Sequence, residues 1–126
     1  MRFLIVDDSA TMRRILVNSL QRIGFTDCVE AEDGLQALEK FTPDISFVIT
    51  DWNMPTMSGI QFARTLRGHA NGKTVPILMV TTRSAREDIA AAVEAGVSGY
   101  LVKPFTPQML KEKIDHALST AVAPAN

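Results

Sequence analysis

The sequence predicts an α/β fold in which one parallel five-stranded sheet is covered by helices on both faces. Two patterns carry this reading. Short apolar runs of strand length alternate with segments whose apolar residues follow helical i, i+3, i+4, i+7 spacing. The strand runs are also nearly continuous in apolar character, as expected of strands buried on both sides. A chemical pattern agrees with them: acidic, hydroxyl and amine side chains follow the strand ends, where an open parallel sheet collects its ligands.

Phe3–Val6 reads as the first strand, and Met12, Ile15, Leu16, Ser19, Leu20 and Ile23 mark the helix after it, which Gly24 stops. Cys28–Ala31 is a weak second strand. Leu35, Ala37, Leu38 and Phe41 mark a short second helix that ends near Pro43. Ile45–Thr50 gives the third strand and Ser58–Arg67 the third helix, with a polar loop from Gly68 to Thr74. The fourth strand is expected over Val75–Val80, with Pro76 at its beginning. Arg86–Ala95 is the fourth helix, ending at Gly96, and Gly99–Val102 the fifth strand. Thr106–Ala121 is the last helix, capped by Thr106 with Pro107 in its first turn.

At 126 residues and 46% hydrophobic content the chain has room for one core and not two. Its 13 Lys+Arg against 14 Asp+Glu give a formal charge of -1, with no broad footprint for nucleic acid or an anionic membrane, so partners must be recognised locally. Cys28 is the single cysteine; no internal disulfide can form, and a reducing compartment fits. Asp7 and Asp8 cut off the opening apolar run before it reaches the ~7–15 residues of a secretory signal. No run approaches the ~18 apolar residues of a membrane span. The expectation is a soluble cytoplasmic domain over 1–121 with a frayed tail over 122–126.

Asp7 and Asp8 follow the first strand, Asp51 the third, Thr81 and Thr82 the fourth, and Lys103 the fifth. If the first and third strands are neighbours, their ends lie only ~5 Å apart, and three carboxylates there repel one another unless a positive charge sits among them. A hard divalent cation suits such an all-oxygen cluster, Mg²⁺ in particular, and Lys103 supplies a second positive charge. Each residue alone has an ordinary structural reading: Asp8 or Ser9 as a helix cap, Asp51 in a loop turn, Thr81 bonded to backbone, Lys103 solvated. It is their conjunction at the strand ends that points to chemistry.

The motifs Val6-Asp7-Asp8-Ser9, Glu30-Ala31-Glu32-Asp33-Gly34, Thr50-Asp51-Trp52-Asn53-Met54-Pro55, Met79-Val80-Thr81 and Gly99-Tyr100-Leu101-Val102-Lys103-Pro104-Phe105 agree in content and order with one family. From Phe3 to about Leu118 the chain resembles the response-regulator receiver domains of two-component signalling, within them the chemotaxis regulators. The resemblance implies a flavodoxin-like, doubly wound (βα)5 fold with strand order 2-1-3-4-5. It implies that Asp51 accepts a phosphoryl group from a histidine kinase in a Mg²⁺-dependent reaction that the domain itself catalyses in both directions. Asp8, the Asp51 carboxylate and the Asn53 main-chain carbonyl would hold Mg²⁺, with Asp7 acting through water. Lys103 and Thr81 would contact the phosphoryl group, and Lys103–Pro104 would be cis. Thr81 and Tyr100 would form the switch, and Arg86, Ile89, Tyr100 and Lys113 would meet partners.

The chain departs from its close relatives at Arg83, where some carry an acid, and at Thr82, bulkier than the usual Ala or Ser. Arg83 leaves open the dephosphorylation rate and the identity of any accessory phosphatase. With no output domain after the last helix, the signal would leave by non-covalent contact, a flagellar motor switch being the favoured target and a histidine phosphotransfer protein the alternative. A phosphatase with an Asp nucleophile would want a second acid two residues on, where Asn53 stands. A flavin site would want Gly and backbone donors where Asp7 and Asp8 stand. His69 and His116 read as surface or packing residues.

Overall fold

The computed structural model describes residues 1–121; the expected tail over 122–126 lies outside the described residues. Five strands, β1 Arg2–Val6, β2 Asp27–Ala31, β3 Ile45–Thr50, β4 Ile77–Thr81 and β5 Gly99–Val102, alternate with five helices, α1 Ala10–Arg22, α2 Gly34–Lys40, α3 Gly59–Arg67, α4 Arg86–Glu94 and α5 Pro107–Ala121. The strands form one parallel sheet in the order β2-β1-β3-β4-β5. This is the flavodoxin-like (βα)5 arrangement expected.

Because successive strand residues point to opposite faces, the central strands feed two cores. Leu4, Val6 and Val48 join Phe62, Ala63, Leu66 and Ala92 on the α2–α3–α4 side. Phe3, Ile5, Phe47 and Ile49 join Leu16, Leu20, Leu110 and Ile114 on the α1–α5 side. One irregularity breaks the alternation: Arg2 pairs with Ile45 but Phe3 with Phe47, so Ser46 is an extra residue in β3. Its hydroxyl accepts from the Arg2 amide at 2.9 Å and donates to the Arg2 carbonyl at 3.1 Å. Ile45 is thereby placed in the α2–α3–α4 core beside Val48.

Several helix ends follow from local chemistry. Ser9 caps α1 by accepting the Met12 amide, Asp33 caps α2, and Ser58 with Gln61 forms a reciprocal capping box on α3. Thr106 accepts the Met109 amide at 3.1 Å and so caps α5 as expected. Gly24 and Gly96 stop α1 and α4 at φ 101° and 99°, a region glycine adopts freely. Helix α4 differs, since its cap residue Ala85 offers no side-chain bond and Ala92 is its one buried residue.

The fourth strand starts two residues later than the apolar run suggests. Pro76 has no amide to give, its carbonyl accepts from the Val48 amide at 2.9 Å, and the Val75 carbonyl is taken by Arg67. The expected polar loop before it contains a short 3-10 turn, Ala70–Gly72. Cys28 is half-buried against the α1–α5 core, and His69 and His116 are exposed. Among the described residues no helix is long and apolar enough to cross a membrane.

Candidate functional site

At the carboxyl ends of β1 and β3, Asp7, Asp8 and Asp51 each turn an oxygen inward, and these oxygens lie within 4.8 Å of one another. The pairing of Val6 with Thr50 sets the two strand ends side by side. Asp7 is buried, Asp51 half-buried and Asp8 exposed. Since Ser9 and not Asp8 caps α1, the Asp8 carboxylate has no such duty.

Lys103 reaches into this cluster from the end of β5. Its Nζ stands 3.2 Å from Asp7 Oδ2 and 3.3 Å from Asp51 Oδ2, and the Lys103 amide donates to the Thr81 carbonyl at 2.9 Å. The Lys103–Pro104 bond is cis. The second oxygens of the two acids are also held: Asp7 Oδ1 accepts the Ser9 amide at 2.9 Å and Asp51 Oδ1 the Trp52 amide at 2.6 Å. Burial is the largest influence on the Asp7 carboxyl and holds its pKa above the usual range, against the lowering effect of the Ser9 amide and Lys103. Three carboxylates facing one ammonium leave excess negative charge, and the all-oxygen donor set fits a hard divalent cation.

Thr81 is buried at the end of β4; its hydroxyl accepts the Arg83 amide at 3.3 Å, and its own hydrogen is committed to no acceptor among the described residues. Tyr100 is half-buried and donates to the Arg83 carbonyl at 2.9 Å. Burial and the nearby Asp88 raise the Tyr100 pKa, so its hydroxyl remains a donor at neutral pH. The Asn53 side chain is exposed and turned to Arg83. Arg86 and Ile89 on α4 and Lys113 on α5 are exposed, away from the acids and flanking β5.

Sequence reading overlooked three features of the site. Gly59 at the start of α3 packs so closely that a Cβ there would stand 2.0 Å from the Asp51 carbonyl oxygen; its amide donates to the Trp52 carbonyl at 2.8 Å. Thr56, in the loop after Asp51, has φ 72°, and the Met57 amide donates across it to the Pro55 carbonyl at 2.8 Å. Val93, four residues after Ile89 and on the same side of α4, is 64% exposed and widens its apolar stripe. A glycine at a helix start was the visible signal for the first, and the i, i+4 spacing from Ile89 for Val93; nothing in the sequence marks Thr56.

Comparison with known proteins agrees with this geometry. A family profile described as the response regulator receiver domain matches residues 3–115. Chemotaxis protein CheY1 of Helicobacter pylori is 48% identical over 122 residues, 95% of this chain and 98% of that protein. Chemotaxis protein CheY of Pseudomonas aeruginosa is 51% identical over 116 residues, 91% of this chain and 94% of that protein. The solved structure of Vibrio cholerae chemotaxis protein CheY4 superposes with a TM-score of 0.86 at 35% identity, covering 92% of this chain and 97% of that one. CheY is itself a standard example of the 2-1-3-4-5 order, so the shared order reflects shared fold. The chain belongs to the response regulator receiver domains, with CheY proteins among its relatives.

Proposed function

We propose that this domain is a CheY-type response regulator of chemotaxis that takes a phosphoryl group from a histidine kinase onto Asp51 and signals by binding the flagellar motor switch. The observation that carries the reading is the Lys103 ammonium held between Asp7 and Asp51 within a triad of carboxylates. A lone nucleophilic carboxylate has no need of two acidic neighbours and a half-buried lysine; a site for a transferring phosphoryl group does.

In the proposed reaction an Asp51 carboxylate oxygen attacks phosphorus in line, an acyl phosphate P–O bond forms, and the P–N bond to the kinase histidine breaks, its imidazole regaining a proton from solvent. The Trp52 amide fixes the Asp51 carboxylate plane beforehand, so little reorganisation is needed. Asp8, Asp51 and the Asn53 carbonyl would hold Mg²⁺, with Asp7 through water, and the ion would offset charge on the phosphoryl oxygens. Lys103, paired with Asp7 and Asp51, would offset the same charge. Water attack on the acyl phosphate restores Asp51 and releases phosphate, alone or with an accessory phosphatase.

Thr81 would give its uncommitted hydrogen to the phosphoryl group, shifting the population of Tyr100 positions. Arg86, Ile89, Tyr100 and Lys113, with Val93, would form the surface the motor switch reads, Ile89 and Val93 giving the apolar stripe a docking helix or peptide needs. The half-buried free thiol of Cys28 suits work in the cytoplasm.

Trp52, the only tryptophan, adjoins the acceptor, so its fluorescence tests the reading without a label. Titration with acetyl phosphate is expected to give a saturable change that requires Mg²⁺ and disappears in Asp51→Asn. A flat response, or one kept by Asp51→Asn, would remove acceptance at this site.

A further inference from the structure

Arg83 follows β4 and contacts Trp52, Asn53, Thr81, Asp88 and Tyr100 without touching Asp7, Asp8 or Asp51. Its guanidinium carbon lies 4.5 Å from the centre of the Trp52 ring, a cation–π contact. One terminal nitrogen donates to Asn53 Oδ1 at 3.1 Å; the other stands 3.4 Å from Asp88 Oδ1 in the first turn of α4. Its amide and carbonyl engage Thr81 and Tyr100.

We infer that the Arg83 side chain is a latch that ties the acceptor loop, Trp52 and Asn53, to the first turn of α4 through Asp88. Three observations support it. Helix α4 has no side-chain cap and a single buried residue, so its first turn is weakly held by anything else. Its far end is fixed independently, because Arg67 donates twice to the Gly96 carbonyl at 3.0 and 2.8 Å. The helix is therefore anchored at one end and latched at the other. Finally, Arg83 Nε is buried with no hydrogen-bond partner. The closed latch leaves one donor unsatisfied, which lowers the free energy needed to open it.

The trigger lies one bond away. Trp52 donates its amide to Asp51 Oδ1 at 2.6 Å, so a group added to Asp51 disturbs the residue whose ring seats the guanidinium. Release of Arg83 would then free Asp88 and loosen the first turn of α4. Arg83 is a positioning residue in this scheme, and only its trigger rests on the function proposed above.

Backbone hydrogen exchange on the unphosphorylated protein tests the latch by itself. Arg83→Ala and Asp88→Asn are each expected to speed exchange over residues 88–90 about fivefold, the Asp88 and Ile89 amides being bonded to the Ala85 carbonyl, while residues 92–95, held near Arg67, stay unchanged and report that the fold is intact. The double variant should exchange no faster than either single one. Acrylamide quenching of Trp52 should rise in Asp88→Asn, although Asp88 touches no part of the acceptor loop. Unchanged exchange, effects that multiply, or Trp52 quenching indifferent to Asp88 would overturn the latch; multiplying effects would assign Asp88 to the helix dipole instead. With acetyl phosphate and Mg²⁺, the wild type should approach the Arg83→Ala exchange pattern. If Asp51 is phosphorylated and residues 88–90 stay protected, the trigger is wrong; if Asp51 takes no phosphoryl group, the proposed function fails and the exchange result still decides the latch.

Discussion

Lys103 and Arg67 are both cations drawn below the surface, at opposite ends of the sheet, and their surroundings differ in kind. Arg67 is ringed by carbonyls: Gly96 accepts from two of its nitrogens, Gly72 and Val75 accept at 2.8 and 2.6 Å, and Ser98 Oγ lies at 3.4 Å. No carboxylate pairs with it among the described residues, and burial alone lowers its pKa. It ties the end of α3 to the chain before β4 and the turn before β5. Lys103 instead faces two acids, with a third close by, and the group is short of positive charge. One end of the sheet satisfies its buried charge and is built for stability. The other leaves negative charge unbalanced, an arrangement that suits a bound cation.

Removing one charge from each end, Arg67 from the first and Asp7 from the second, should therefore move stability in opposite directions. Arg67→Met strands the carbonyls of Gly72, Val75 and Gly96 and is expected to cost about 3 kcal/mol in urea unfolding. Acceptance of phosphate by the folded fraction should be nearly unchanged. An effect below about 1 kcal/mol would mean that water satisfies those carbonyls easily and would erase the contrast.

Gly59→Ala brings the comparison to the join between scaffold and site. The added methyl would sit 2.0 Å from the Asp51 carbonyl oxygen, so α3 or the acceptor loop must shift. A loss of about 2 kcal/mol is expected from overpacking, together with slower phosphorylation by acetyl phosphate. Lost stability with an unchanged rate would show that α3 yields and the acceptor holds.

Asp7→Asn is the smallest and most diagnostic case. In metal-free protein at neutral pH it should stabilise the fold, by about 0.5–1 kcal/mol, while weakening Mg²⁺ binding. Burial holds the Asp7 carboxyl above its ordinary range, so the folded state retains this proton better than the unfolded chain. The resulting stability is present below the unfolded pKa of about 4 and is lost as pH rises through the raised folded value. The gain from Asp7→Asn should accordingly appear as pH rises from about 3 to 7 in paired unfolding curves. A destabilised variant at neutral pH would mean that the Lys103 pairing outweighs the burial penalty.

The sequence was legible wherever one local rule decided the outcome. Periodicity located all ten elements, and placing Asp7, Asp51, Thr81 and Lys103 at strand ends brought them to one rim before any geometry was known. Strand order came with the family resemblance, since apolar runs of similar character do not specify their neighbours. The start of β4 was misplaced because Val75 and Pro76 look like strand residues although Pro76 has no amide for the ladder and the Val75 carbonyl serves Arg67. Arg67 and the side-chain contacts of Arg83 could not be read at all, because they depend on groups up to 31 residues away. Ser46 was equally hidden: one polar residue near the start of an otherwise apolar strand does not by itself announce a bulge.

The central claim is that Asp51 is the acceptor, and the most direct measurement is chemical. The protein is incubated with acetyl phosphate and Mg²⁺, any acyl phosphate is reduced with borohydride, and the modified residue is mapped by peptide mass. A single modified site at Asp51, absent when Mg²⁺ is chelated and absent in Asp51→Asn, is the predicted result. Modification at another residue, or at none while the protein is folded and Mg²⁺ is present, would contradict it.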